Sequence, residues 1–369
     1  MQSETFTKSF LRAIGIASAA ILIFVIYLIR YPILQVLYLL VTNPLAIATT
    51  DLFKVIIFPG LLYMSLIPLI AEWVERKLVA RVQVRIGPYY VGGWEGFLQP
   101  IADLFKLLFK EVIIPKNSDR LVFLFSPILA FTVAAIPTVL VPYSKTFVIW
   151  NYAYGVLLFF ALLAFFPLVV LLAAWSSNNK YSLIGGLRAL YQQASYEIPI
   201  FLSVLPSVML AGSLNFIGIV EAQARIWFIA FAPISAIVFF VAMLAEMERV
   251  PFDMPEADSE LVSGWTTEYS GIAWGLYQFG IYVKLLAFAG VFATLFLGGF
   301  LGPSFLPHFI WAFIKVLIVV LILLSTRAFW PRIRIDQLVR GGWKFLIPLA
   351  ILNIILLFIF QPYLSAILR

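Results

Sequence analysis

Cysteine is absent from this 369-residue chain, and histidine occurs once, at His308. The first absence excludes iron–sulfur clusters, disulfides and c-type haem attachment. The second excludes a haem held by two histidines of the chain itself. Any redox chemistry therefore depends on electron carriers held by another chain. Charge is also scarce: Asp, Glu, Lys and Arg make up 12% of residues and 63% are hydrophobic, against about half in soluble proteins. With a mean hydropathy of +1.03, the chain reads as an integral membrane protein held by helix packing in lipid. The net charge of +7 does not indicate a nucleic-acid partner, because the cations lie in membrane-flanking loops. No internal repeat, low-complexity segment or linker is visible, so one membrane domain is expected.

Apolar runs long enough to cross a bilayer fall near Ala13–Ile29, Val55–Ala71, Leu121–Val141, Tyr152–Trp175, Ile198–Val220, Trp227–Ala245, Trp274–Phe296, Phe309–Leu324 and Phe345–Leu364. They lack period-two alternation and exceed the length of a barrel strand, so they are read as helices. The first run is interrupted by Arg30 and Pro32 and followed by Ile33–Val41; it is a spanning helix, a bent one or an uncleaved signal anchor. Loops holding Arg76–Arg120, Lys180–Arg188, Arg249 and Arg327–Lys344 carry sixteen cations, whereas the opposite loops carry Lys54, Lys145 and Arg225. The cation-rich loops are therefore expected on the cytoplasmic side.

Against this background, residues Ala245–Tyr269 hold seven carboxylates and one cation. Acid this dense beside a span is expensive unless protons or cations are handled there; a solvated loop with a helix cap is the plainer alternative. Pro251 and Pro255 forbid a continuous helix. Asp253 followed by Glu256 resembles a capping box, so a short helix is expected from there to Gly264, with Glu256 and Glu260 sharing a face and repelling. Upstream, Lys77, Arg81 and Arg85 recur every four residues before Gly87-Pro88, a cationic stripe or simple anchoring. Gln99–Glu111 alternates as an amphipathic helix, with Asp103, Lys106 and Lys110 opposite Ile101, Phe105 and Leu108, suited to lipid or to a soluble partner. In the loop ending at Ser195-Tyr196-Glu197, the aromatic–carboxylate pair beside Arg188 either lines a polar cavity or forms a structural ion pair. Lys284 and Lys315 lie inside spans; Lys315 can snorkel, and Lys284 is expected to meet an acid or a water-filled cavity. His308, in an opposite-side loop, is expected to be idle.

Taken in order, these motifs resemble one family. Glu75-Arg76-Lys77, Gln83, Arg85 and Gly87-Pro88 come first, then Gln99-Pro100, Asp103, Lys106 and Lys110-Glu111. Lys180 to Arg188, Ser195-Tyr196-Glu197, Glu246 to Glu256, Glu260 to Gly264, Glu268 to Gly271 and Arg332 to Lys344 follow. The pattern, over about residues 55–365, is similar to the H-type membrane subunit (mitochondrial subunit 1) of respiratory complex I.

The resemblance implies an all-α polytopic transmembrane bundle of about nine spans, the family's eight plus an N-terminal one. Residues 1–50 would be an extension and 51–369 the family domain, in the cell's inner (plasma) membrane. It implies a subunit that carries no redox centre, within a proton-translocating quinone oxidoreductase. Quinone would be the substrate, and no cofactor would be bound by this chain alone. Implied partners are soluble quinone-module subunits including an iron–sulfur subunit, antiporter-like and small membrane subunits, and membrane lipid. Arg76, Arg85 and Asp103 would surround the quinone passage. Arg188, Tyr196 and Glu197 would belong to the inward polar route, and Glu246, Asp253, Glu256, Asp258, Glu260 and Glu268 to an acidic link toward pump subunits. Lys315 falls where the family also has lysine. Ile281 replaces a span glutamate of many relatives, and Lys284 stands where others carry histidine or an amide; both alter the charge of the pathway. A related hydrogenase or ferredoxin-linked ion-pump anchor without quinone, and a stand-alone cation transporter, are the competing readings; the latter lacks an inverted-repeat pattern.

Overall fold

The computed structural model describes residues 50–256 and 258–368, apart from the side chains of 258, 259 and 361–368. Two compact units are distinguished, Met1–Leu62 and Tyr63–Arg369. In the first, the short helix α1 (Asp51–Ile56) starts at Thr50, whose hydroxyl accepts from Phe53 N at 3.3 Å. The expected span near Ala13–Ile29 lies outside the described residues.

The remainder is helical. The elements used below are α2 (Leu61–Val82), α3 (Gln99–Phe109), α4 (Arg120–Ala135), α5 (Gly155–Leu163), α6 (Phe166–Ser176), α7 (Lys180–Ala211), α8 (Phe216–Ala222), α9 (Phe228–Phe231), α10 (Pro233–Glu246), α11 (Asp258–Leu261), α12 (Gly271–Phe296), α13 (His308–Phe329), α14 (Ile335–Gly341) and α15 (Ile347–Leu368). Among the described residues there is no strand, and seven stretches are long and apolar enough to cross a membrane: Asp51–Val82, Arg120–Leu140, Gly155–Ser176, Lys180–Ala211, Gly271–Phe296, His308–Phe329 and Ile335–Phe360. Pro233–Glu246 is apolar but shorter. The all-α polytopic membrane architecture expected from the sequence is what is found.

Boundaries differ from expectation where the polar ends of spans are still helical. The run expected from Ile198 belongs to a 32-residue helix that starts at Lys180, where the Asn179 side chain caps Tyr181 N. That helix keeps Pro199 and Pro206 in its interior and ends at Gly212, whose φ of +63° suits glycine. The run from Trp227 is broken at Ala232, whose backbone leaves the helical region. The cationic helix stops at Val82, ahead of Gly87-Pro88.

Helix α12 is the axis: 89% of its most apolar window is buried, against 22% for the last span. Glycines let its neighbours approach closely. A Cβ at Gly275 would sit 3.3 Å from Leu107 on α3, and one at Gly290 would sit 2.7 Å from Val141. The outward faces of the other spans expose large apolar side chains such as Leu121, Leu168, Ile351 and Phe358, as lipid-facing helices do.

Candidate functional site

At the cationic end, α2, α3, α12 and the acidic segment enclose a cavity of about 1000 Å³. One part of its lining is apolar, with Leu69, Leu104, Leu107, Phe131, Ile272 and Phe279. The other part is charged. Arg76 pairs with Asp103 at 2.5 Å and with Glu72 on its own helix; Gln99 Nε2 donates to the second Asp103 oxygen at 3.0 Å. The i,i+4 spacing of Glu72 and Arg76 makes the first contact, and α3 brings the second, with its Pro100 buried at the first turn. Two of the three residues expected around a passage thus line one cavity. Arg85 stands apart, on the exposed stretch after α2, where its Nε donates to Gln83 Oε1 at 2.7 Å.

Next to this pair lies a constellation that sequence reading does not single out. Glu75, 1% exposed, accepts from Arg249 Nη1 at 2.7 Å, from Tyr282 OH at 2.9 Å and from Arg327. The Arg249 guanidinium also sits 4.5 Å from the centroid of the Tyr282 ring. Two cations, one carboxylate and a phenol therefore share one wall, with net positive charge. Arg249, Tyr282 and Arg327 also border the cavity.

The acidic segment descends into the bundle. Helix α10 ends at Glu246, and Glu246 Oε1 meets Lys284 Nζ at 2.9 Å. Lys284 is midway along α12, about 20 Å from its Gly271 end by helical rise. The lysine expected to meet an acid or a cavity meets an acid. Glu248 follows with a φ of +53°, uncommon for a residue other than glycine. It accepts from Gln193 Nε2 at 2.5 Å and Trp265 Nε1 at 3.2 Å. Burial lifts its carboxyl from 4.5 to about 8, and neighbouring Glu256 adds to the rise. Two contacts fix the loop against α7. Gln192 Nε2 donates to both Ala245 O and Phe252 O at 2.7 Å, and a Cβ on Gly185 would fall 2.6 Å from Trp265 N.

The remaining acids are dispersed. Asp253 meets Arg332 at 2.8 Å, Glu260 meets Arg188 at 2.6 Å, and Glu268 accepts from Asn179 Nδ2 at 2.5 Å. Glu256 borders the cavity. The side chain of Asp258 lies outside the described residues. The capped helix expected from Asp253 to Gly264 is not formed: helix α11 is a single turn beginning at Asp258. Asp253 faces Arg332 on another element, and Gly264, with φ +58°, turns the chain so tightly that a Cβ there would strike Pro255 O at 1.8 Å. Glu256 and Glu260 therefore do not share a helical face, and the expected repulsion is replaced by the Arg188 pairing of Glu260. Arg188 and Tyr196 also part company, since Tyr196 OH donates to Leu338 O at 2.9 Å. Glu197 is half-buried, within electrostatic reach of Lys284. Lys315 lies in the first half of α13, away from these acids, donating to Leu297 O and Leu301 O, each at 2.6 Å, over the Trp227 ring at 4.4 Å. His308 Nδ1 lies 3.3 Å from Phe300 O.

Comparison with known proteins covers this whole region. A sequence model of the family described as NADH dehydrogenase matches residues 53–358. The chain is 42% identical over 285 residues to the H subunit of NADH-quinone oxidoreductase from Geobacillus thermodenitrificans, covering 76% of this chain and 86% of that one. It is 45% identical, over the same shares, to the proteins of that name from Bacillus cereus strain B4264 and Bacillus thuringiensis strain Al Hakam.

Proposed function

Since the chain belongs to the NADH dehydrogenase family, with relatives named as the H subunit of NADH-quinone oxidoreductase, we propose that it is the membrane subunit of a quinone oxidoreductase and houses the quinone. One observation carries this reading: a cavity of about 1000 Å³ that is apolar along one part and charged along the other. A quinone is an amphiphile of the same division, with two carbonyl acceptors on a ring and an isoprenoid tail. The cavity walls formed by Leu104, Leu107, Phe131 and Phe279 suit the tail. Arg76 and Arg249 place positive charge at the charged part, beside Tyr282, whose hydroxyl is given to Glu75, so negative charge developing on reduction is stabilised without moving protein groups. Electrons come from an iron–sulfur centre in a soluble partner seated on the cationic end, since this chain has no cysteine to hold one.

Reduction consumes protons beside an acidic segment. Glu248, raised to about 8 by burial, holds a proton at neutral pH and releases it when local charge changes. The row Glu246, Glu248 and Glu256, with the ion-paired Asp253 and Glu260, links the cavity to the bundle interior, and through it to proton-pumping membrane subunits alongside. Arg76 and Asp103 act at the cavity; Arg188, Tyr196, Glu197, Asp258 and Glu268 hold or tune the acidic segment, and Lys315, bonded beyond the C-terminal end of α12, tunes the charge of the route past it. Residues 51–369 form the working domain and 1–50 an extension. The complex resides in the inner (plasma) membrane with its cationic end cytoplasmic.

Photolabelling the purified complex with a ubiquinone or menaquinone analogue tests the reading. Expected is label on α2, α3 or α12, competed by excess quinone. Competed label only on other subunits would overturn it.

A further inference from the structure

Three carboxylates and one ammonium gather where α7, α10 and α12 meet. Lys284 is 1% exposed and Glu246 2%. Lys284 Nζ donates to Glu246 Oε1 at 2.9 Å and to the same residue's backbone oxygen at 2.7 Å. It also lies 4.0 Å from the centroid of the Phe166 ring on α6. Glu197 on α7 and Glu248 in the descending loop are within electrostatic reach of this ammonium. Among the described residues, Glu246 has no other ion-pair partner, and its second oxygen, Oε2, is buried without a hydrogen bond.

Two opposite charges stripped of water in a helix interior are held against a desolvation penalty comparable to their attraction. Moving a single proton along the 2.9 Å contact removes both charges and leaves the net charge of the site unchanged. No other change of protonation there is electrically so small. Lysine can make this exchange because its ammonium carries a transferable proton; a guanidinium would keep the ion pair and retain every proton.

We infer that Lys284 is a proton-exchanging member of the acidic row, an inference that rests on the function proposed above. An N–H bond at Nζ breaks, an O–H bond forms at Glu246 Oε1, and the electron pair stays on nitrogen as the amine lone pair. Glu246, now an acid, passes a proton onward, and the open position at Oε2 gives the carboxyl a second place to make that contact. The amine is restored to ammonium by a proton relayed from Glu197 or Glu248, the other carboxyls within its electrostatic reach. Lys284 thereby works as a station in the row and also as its internal counter-ion.

The test is Lys284→Arg in the assembled complex, reconstituted in liposomes, with quinone reduction and proton transport measured separately. Expected is an assembled complex that still reduces quinone while protons moved per quinone fall several-fold. An unchanged proton-to-quinone ratio overturns the inference and leaves the quinone reading standing. The neutral pair Lys284→Met/Glu246→Gln, which removes both charges and the exchangeable proton, should uncouple in the same way; normal coupling in it also overturns the inference. Infrared difference spectra of the unmodified complex cover the case in which neither variant assembles. Quinone reduction should alter a carboxylic-acid C=O band, and the lack of any such change overturns the inference. Failure of the unmodified complex to reduce quinone would instead count against the function itself.

Discussion

Glu75 compensates two guanidinium groups at once, from Arg249 and Arg327. Its loss leaves the buried Arg249 without its carboxylate and facing the half-exposed Arg327. Breaking a buried pair by removing one partner costs about 3–5 kcal/mol, so Glu75→Ala is expected to lower the melting temperature of the complex and abolish quinone reduction. Glu75→Gln, which can still accept from Tyr282, should assemble. Equal melting temperatures for Glu75→Ala and the parent would show that the constellation is not a unit. Glu248 behaves oppositely. Its folded pKa of about 8 lies above its ordinary value of 4.5, so the folded state binds this proton more tightly than the unfolded one. The resulting stabilisation is complete below about 4.5 and is lost as pH rises to 8. Glu248→Gln should therefore match the parent in stability at low pH and exceed it above pH 8, read from melting curves across that window. Identical pH profiles would contradict a carboxyl protonated by burial. These two residues also mark the limit of sequence reading. Glu75 is visible there only as part of a charged motif, because its partners lie 174 and 252 positions away. Glu248 does not stand out among its acidic neighbours, because its shift arises from burial, which no spacing rule reveals.

At the scale of elements, the acidic segment is held by the closeness of α7. Gly185 admits the Trp265 backbone where a Cβ would stand 2.6 Å away. Gly185→Ala is expected to displace the segment, with overpacking costing about 1–3 kcal/mol. Quinone reduction and thermal stability should fall together. Gly93→Ala, where a Cβ meets nothing but φ is +72°, gives the comparison for backbone strain without crowding. If both variants behave alike, close approach at Gly185 is not what seats the loop. Helices are the most legible part of the sequence, since lipid leaves the backbone few other solutions. The short acidic helix is misread from sequence because a capping pattern specifies only local preference. Asp253 is drawn instead to Arg332, and the left-handed turn at Gly264 sets the path. Tertiary pairing thus outweighs a local signal worth roughly 1 kcal/mol.

For the whole molecule, sixteen cations on one set of loops fix its expected orientation. The natural lack of cysteine makes the check direct. Single substitutions Arg334→Cys and Lys145→Cys, both at exposed positions, should react with a membrane-impermeant maleimide from opposite sides. Arg334→Cys should label in inverted vesicles and Lys145→Cys in right-side-out ones; the reverse pattern would invert the topology. The charged cavity, the Glu246–Lys284 pair and the acidic loop all lie between the cationic end and mid-bundle.

Beyond them toward the other face stands Lys315, its ammonium anchored by two carbonyl oxygens and roofed by an indole, with no carboxylate paired to it among the described residues. While it carries its charge, an ammonium held only by carbonyl oxygens repels hydrated protons. The far leaflet of this subunit is thereby fenced. On the proposed function, protons gathered near the quinone would meet this charge before the far face, and the work of reduction would leave sideways, into whatever stands beside the chain. Lys315→Gln should open a leak, seen as faster collapse of an imposed pH gradient in proteoliposomes, and an unaltered collapse rate would remove the fence.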